Sequence, residues 1–294
     1  MKRKKSIGER VFTICNLLIM IILILLTLYP MYYVLIASIS DPVLLMSHQG
    51  PLVTVLGEPT LVGYEKTFEN RNLLVGFGNT LFYLIAGTGL QLILTCFAAY
   101  VLTRKTFLIR SIMMKMMIFT MFFSGGLIPL FFVVKETHIY DTIWVSSIPY
   151  AISTFNVIIM MTFFRSLPSS LEEAAIIDGA NDFKVFAKII LPLSKPVLAV
   201  ITLYYGVGQW NSWFPATMFA RDRDLMPLQV FLREIIIENS TVSADNIIDM
   251  VENTFASELV KYCTIMVSTV PILIIYPFLQ KYFEKGVMIG AVKG

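Results

Sequence analysis

The chain has 294 residues, 56% of them hydrophobic and 15% charged, with a formal net charge of +3 and a mean hydropathy of +0.74. Soluble domains carry about 25% charged residues, so this composition excludes an ordinary water-soluble globule and makes the bilayer the main solvent. The small net charge points to no nucleic-acid partner.

Lys2, Arg3, Lys4, Lys5 and Arg10 precede a first uncharged run, 11–40, which is too long for the apolar core of a cleaved signal and is expected to stay as a span. Five further uncharged runs follow, 72–103, 116–134, 142–164, 196–220 and 262–280. Each supplies the ~20 apolar residues that cross the hydrocarbon as a helix, the open-chain form that satisfies its own backbone there. The expected fold is an all-α integral membrane protein with six transmembrane helices.

The terminal segments, the segment between spans 2 and 3 and the segment between spans 4 and 5 hold 16 of the 23 basic residues. The opposite loops carry 14 acidic and 7 basic residues, so both termini are expected in the cytoplasm, and the protein in the cell membrane. Cys15, Cys96 and Cys263 fall in runs without metal-type spacing and read as packing residues. The same applies to the methionines from Met113 to Met121.

Polar residues inside spans turn away from lipid, toward a cavity or a neighbouring helix. Asn79, Gln91, Asn156, Gln209 and Asn211 are therefore candidates both for a cargo path and for plain interhelical hydrogen bonds. Trp144, Trp210 and Trp213 lie at the outer ends of spans 4 and 5. They suit an aromatic belt, and Trp210 and Trp213 are also candidates to stack on sugar rings. Gly87-x-Gly89 and Gly206-x-Gly208 suit close helix packing. The outer loop from Pro215 to Lys261 has a short amphipathic stretch near Leu228 to Ile237 and either caps the bundle or meets a docked protein.

The segment between spans 4 and 5 is polar in a lipid-adapted chain. Ser170 and Glu173 have capping-box spacing for a short helix reaching about Asp178, and Gly179 suits a helix stop. Phe183, Phe186, Ala187 and Ile190 then repeat at helical spacing opposite Lys184 and Lys188, before Pro192 and Pro196 break the pattern. A hairpin of this kind can simply lie on lipid headgroups.

Glu173-Ala174-Ala175, three residues, Gly179, nine residues and Ile189-x-Leu191-Pro192 match at every defining position the EAA motif. The chain thus resembles permease subunits of binding-protein-dependent ABC importers. Asn79-Thr80, Tyr100 to Arg104, Trp210-Asn211 and the closing Lys285 to Gly294 resemble the maltose-permease-like carbohydrate branch. Ser40-Asp41-Pro42 and Arg221 to Asp224 are similar to its complex-oligosaccharide subgroup.

The resemblance implies a cytoplasmic segment 1–10, a first span with outer loop 11–70, a permease domain 71–284 and a tail 285–294. It implies a coupling helix between spans 4 and 5 that docks into a separate ATPase through Glu172, Glu173, Ala174, Ala175, Asp178, Gly179 and Ala180. Gly290, Lys293 and Gly294 resemble tails that reach the ATPase dimer interface. The implied partners are a second homologous permease subunit, two ATPases and an extracellular sugar-binding protein. This chain would be non-catalytic and bind no cofactor, ATP and Mg being used by the partner ATPase.

The residues agree with an external engine. The chain has no G-x-x-x-x-G-K-[ST] phosphate loop, and no acid or histidine lies inside a span to carry protons. A self-contained channel or ion-coupled carrier is the alternative. A membrane enzyme ranks last, because no cluster of nucleophiles, acids or metal ligands sits at the span ends.

Overall fold

Charge-free apolar stretches satisfy their backbone most simply as helices, and in the computed structural model every regular element among the described residues, 6–238, 258–275 and 277, is helical. In chain order these are α1 (Ile7–Ser38), α2 (Pro42–Ser47), α3 (Val62–Glu69), α4 (Arg71–Thr103), α5 (Arg110–Phe122), α6 (Leu127–Glu136) and α7 (Thr154–Ser166). They continue with α8 (Ser169–Ile177), α9 (Asp182–Leu193), α10 (Lys195–Trp210), α11 (Phe214–Phe219), α12 (Leu228–Glu238) and α13 (Glu258–Ile275). The tail from 285 to 294, with Gly290, Lys293 and Gly294, lies outside the described residues.

The described residues form two compact units, 6–70 with 234–238 and 258–270, and 71–233 with 271–275 and 277. In the first, α1 starts at a capping box in which Ser6 Oγ accepts from Glu9 N and Glu9 accepts from Ser6 N. Its apolar side chains are exposed around the whole circumference until the last turn, where Ile36 and Ala37 join Leu45, Leu52, Leu259 and Cys263 in a core. An all-round apolar, all-round exposed helix is stable in lipid and not in water. All three cysteines are free thiols, but Cys15 is exposed on α1 and does not pack, whereas Cys96 and Cys263 are buried.

Three helices among the described residues are long and apolar enough to cross a membrane alone: α1, α4 and α13. A fourth candidate is the pair α9 and α10, bent by 83°. The remaining charge-free runs differ from the expected single helices. Run 116–134 breaks at Ser124-Gly125-Gly126, where Gly126 adopts φ 88°, so α5 and α6 are separate pieces. Run 142–164 is helical only from Thr154, since residues 141–153 form turns and a 3-10 step around Pro149. Run 196–220 divides into α10 and α11, with Pro215 in the first turn of the latter.

The long α4 contains a π turn at Tyr83–Gly87, the kind of one-residue widening that re-aims side chains along a helix. A Cβ on Gly87 would stand 2.4 Å from Ser147 Oγ and 3.0 Å from Gln209 Nε2, so only glycine lets the broken segment approach α4. Gly89, two residues on, faces open space. Gly87→Val is expected to overpack this contact at a cost of about 1–3 kcal/mol and lower the thermal midpoint of the purified chain by several degrees. Gly89→Ala should leave that midpoint unchanged in the same melt.

Candidate coupling site and polar seam

The segment between α7 and α10 is a bent pair of helices. α8 begins after Pro168, whose extended backbone occupies the N-cap position without a side-chain bond. Ser170 is already helical there, so it cannot cap, and the capping box expected with Glu173 does not form. The C-terminal stop is as expected, with Gly179 at φ 81°. Gly179 N–H donates to Ile176 O at 3.0 Å and Ala180 N–H to Ala175 O at 2.9 Å, the pair of bonds that defines a Schellman motif.

Asn181 then caps α9, its Oδ1 accepting from Lys184 N at 2.9 Å. A π turn follows at Phe186–Ile190. Val185, Phe186 and Ile190 are buried, while Phe183, expected on that face, is 64% exposed. Phe183 lies in the first, regular turn of α9, before the wider turn, and outside the core that α9 enters at Val185. Lys184 and Lys188 are exposed as expected.

The buried face of α9 lies in one core with Cys96, Ala99 and Tyr100 of α4, Val157, Met160 and Phe164 of α7, and Val197 and Ile201 of α10. Ala175 and Ala180 pack half-buried against this core, whereas Glu173, Ala174, Asp178 and Gly179 are exposed. Ile176 and Ile177 are exposed beside them at 55% and 85%, and a Cβ on Gly179 would meet nothing within 4 Å. The tip of the bend is thus apolar, open and rigidly seated.

A polar clamp reinforces the seat. Arg104, just past the end of α4, makes a bidentate pair with Glu172, Nη1 donating to Oε2 and Nη2 to Oε1, the latter at 2.9 Å. Its guanidinium lies 4.0 Å from the centre of the Tyr100 ring, and Tyr100 Oη donates to Asp182 O at 2.9 Å. The two side chains therefore hold the first turn of α9 as well as α8. Burial disfavours the Arg104 charge, but the Glu172 hydrogen bonds and charge outweigh it and raise the pKa above its ordinary value. Glu172 is thereby engaged within the chain. The sequence marked the Tyr100 to Arg104 stretch only as a family resemblance, and the clamp itself went unread.

The candidate path residues divide. Asn79 Nδ2 donates to Asp224 O at 2.7 Å and Met226 O at 3.0 Å. Gln91 Nε2 donates to Tyr150 O at 3.1 Å, and Gln209 Nε2 to Ser146 O at 3.5 Å. These amides satisfy carbonyls on irregular segments that a continuous helix would have paired internally. Thr80, Tyr83, Thr95 and Tyr205 do similar work: Thr80 Oγ1 accepts from Leu228 N, Tyr83 Oη donates to Leu225 O, and Tyr205 Oη pairs with Thr95 Oγ1 and accepts from Ser153 N. Sequence reading named Thr80 only within a family resemblance and passed over the other three, although Thr95 and Tyr205 stand four residues from Gln91 and Gln209.

The amide oxygens of Gln91 and Gln209 and the hydroxyls of Thr88, Ser146 and Ser147 are buried without a protein partner. Asn156 is buried nearby on α7, 5% exposed. Trp210 is also buried, edge-on to Phe77, and so is no interfacial belt residue. Asn211 Nδ2 donates to Val207 O within its own helix, and Trp213 carries the Arg233 guanidinium 3.8 Å from its ring centre. Gln91 and Gln209 both reach the broken segment, at Tyr150 and Ser146, whereas Asn211 and Trp213 make their contacts elsewhere.

Residues 91–236, which contain the whole bent helix pair, match the family described as binding-protein-dependent transport system inner membrane component. The chain is 38% identical over 286 residues to Protein LplC of Bacillus subtilis, covering 97% of this chain and 96% of that one. The chain belongs to this family. The permease is also 42% identical over 228 residues to the polygalacturonan/rhamnogalacturonan transport system permease protein YtcP of Bacillus subtilis, 76% of this chain and 77% of that one. Among solved structures it is similar to a chain of a bacterial ABC transporter involved in the import of the acidic polysaccharide alginate. The TM-score is 0.88 and the identity 32%, covering 96% of this permease and all of that chain. The permease is accordingly a membrane-embedded, multi-pass protein.

Removing one partner of the clamp strands the other in a half-buried site, at about 1–3 kcal/mol for hydrogen bonds to charged groups. Arg104→Ala is expected to raise amide hydrogen exchange across residues 169–190 while leaving α1 unchanged, as read by mass spectrometry of the purified permease.

Proposed function

We propose that the permease is one of two homologous membrane subunits of an ATP-driven importer, and that it moves oligosaccharides delivered by an extracellular binding protein. In this reading six membrane crossings, some made of broken helices, place both termini and the α8–α9 bend in the cytoplasm. The basic residues of 104–115 and 165–195 support that orientation. The bend docks into a cleft on a cytoplasmic ATPase, with Glu173, Ala174, Asp178 and Gly179 at the surface and Ala175 and Ala180 supporting them from the core side. ATP and Mg act on that ATPase and not on this chain, and the 285–294 tail reaches toward it.

The observation that carries this reading is the exposed apolar tip of a seated bend. Ile176, Ile177 and Phe183 are uncovered around a glycine whose positive φ and empty surroundings leave room for another protein. Lipid headgroups alone would not require the Schellman stop or the Arg104 clamp.

The cargo class is supported by relatives named for polygalacturonan and rhamnogalacturonan and by the alginate importer. We assign the cargo path to the uncharged seam at Gln91, Asn156 and Gln209, where free amide oxygens suit hydroxyl donors. Asn79, Trp210, Asn211 and Trp213 then shape its surroundings. A channel or ion-coupled carrier working alone is less favoured, because no acid lies within the charge-free runs.

Gly179→Arg should leave membrane insertion intact and abolish copurification of the ATPase with the permease; normal copurification sinks the docking role. The permease reconstituted alone in liposomes should give no oligosaccharide flux with or without ATP, and flux would establish the self-contained carrier instead.

A further inference from the structure

A cavity of about 550 Å3 opens where the end of α4, the start of α5 and the end of α7 meet. Four cations line it, Lys105, Arg110, Lys115 and Arg165, together with the hydroxyl-bearing Thr103 and Ser111. No carboxylate lines it. Among the described residues none of the four cations forms an ion pair, and the nearby Glu172 is already taken by Arg104. Arg110 Nη1 reaches only the Arg104 carbonyl, at 3.5 Å.

Four like charges around one cavity repel one another unless an anion joins them. The donor set selects the anion's class. Two guanidinium forks and two ammonium groups suit an acceptor with several oxygens, and the hydroxyls add neutral donors, which is the recognition chemistry of a phosphate group.

The position narrows the source. Lys105, Arg110 and Lys115 fall between the charge-free runs 72–103 and 116–134, at the level where polar headgroups meet hydrocarbon. Directly beyond them α5 exposes Ile112, Met116 and Phe119, all more than half uncovered, as a surface on which acyl chains can lie.

We propose that this cavity binds a phosphate group, held in the membrane as the headgroup of an anionic phospholipid whose acyl chains run along α5. The geometry serves a structural end as well: an anion there neutralises the charges that crowd the α4–α5 turn, next to the Arg104 clamp.

The test uses the full chain, purified and delipidated, with native mass spectrometry. Dioleoylphosphatidylglycerol is titrated against dioleoylphosphatidylcholine, and inorganic phosphate is added in separate arms. The phosphatidylglycerol should bind at least tenfold more tightly than the phosphatidylcholine. Loss of two basic groups in Lys115→Gln/Arg165→Gln should weaken it by about twenty-five-fold, at roughly fivefold per group.

Lys115→Arg should retain binding within about twofold. Lys184→Gln/Lys188→Gln, with the same charge change on the exposed face of α9, should bind as the wild type does. Inorganic phosphate that raises the thermal midpoint of the wild type, and competes with the lipid, would identify the free anion as a second source for the same site.

Equal binding of the two lipids together with no effect of phosphate overturns the proposal. So does an equal loss in the α9 double variant, which would reduce the effect to general surface charge. The lipid comparison and the phosphate competition are made on the wild type, so a failure of the pocket variant to fold leaves the decision intact. Binding is read on the isolated chain, so the result stands apart from the importer reading.

Discussion

The α8–α9 bend does not hang free of the neighbouring helices but shares their core. Phe186 and Ile190 of α9 pack against Tyr100 of α4, Met160 and Phe164 of α7, and Ile201 of α10, all at most 6% exposed. Interiors packed at crystalline density transmit displacement instead of absorbing it. A rigid body of four helices follows, and its outward tip is the α8–α9 turn. Arg104 and Tyr100 add directionality to this non-directional packing, because their hydrogen bonds fix α8 and α9 to the same end of α4.

A second constraint runs through the upper half of the same unit. Runs 116–134, 142–164 and 196–220 are broken, and each break frees backbone groups that hydrocarbon cannot satisfy. The long α4 answers this with a polar face carrying Thr80, Tyr83, Gln91 and Thr95, one or two turns apart, with Asn79 beside Thr80. Their partners are carbonyls and amides of residues 146–153 and 224–228, or the Tyr205 hydroxyl that reaches Ser153. Outside the membrane region, Asp141 ties the same broken segment to the next loop by accepting from the Arg221 and Asp222 amides, which holds its carboxyl below the usual aspartate range. Gly87 belongs to this arrangement, since any side chain there would push Ser147 and Gln209 away.

The fold class and the glycine stop were legible because both rest on local chemistry. Uninterrupted apolar runs are helical in lipid, and a glycine after a helix-forming stretch takes the positive φ that other residues resist. What escaped the sequence depends on contacts between segments far apart in the chain. Phe183 faces outward because the first turn of α9 lies beyond the edge of the core that Val185 and Phe186 enter. Ser170 does not cap because Pro168 set the helix start earlier. The Arg104–Glu172 pair links positions 68 residues apart, and no periodicity announces it. The amide side chains of α4 and α10, Asn79, Gln91 and Gln209, were found, but their partners were invisible, since a glutamine in a span looks alike whether it meets a carbonyl or a solute.

The 83° angle between α9 and α10 has a mechanical meaning. Pro192 and Pro196 flank Ser194, which ends one helix and begins the other. With 12 residues at 1.5 Å each, α9 is an arm of about 18 Å joined nearly at right angles to the axis of α10. A push along such an arm meets the second helix broadside and turns it instead of sliding it. The elbow has the geometry of a bell crank: a displacement along α9 enters at one end and leaves as torque on α10.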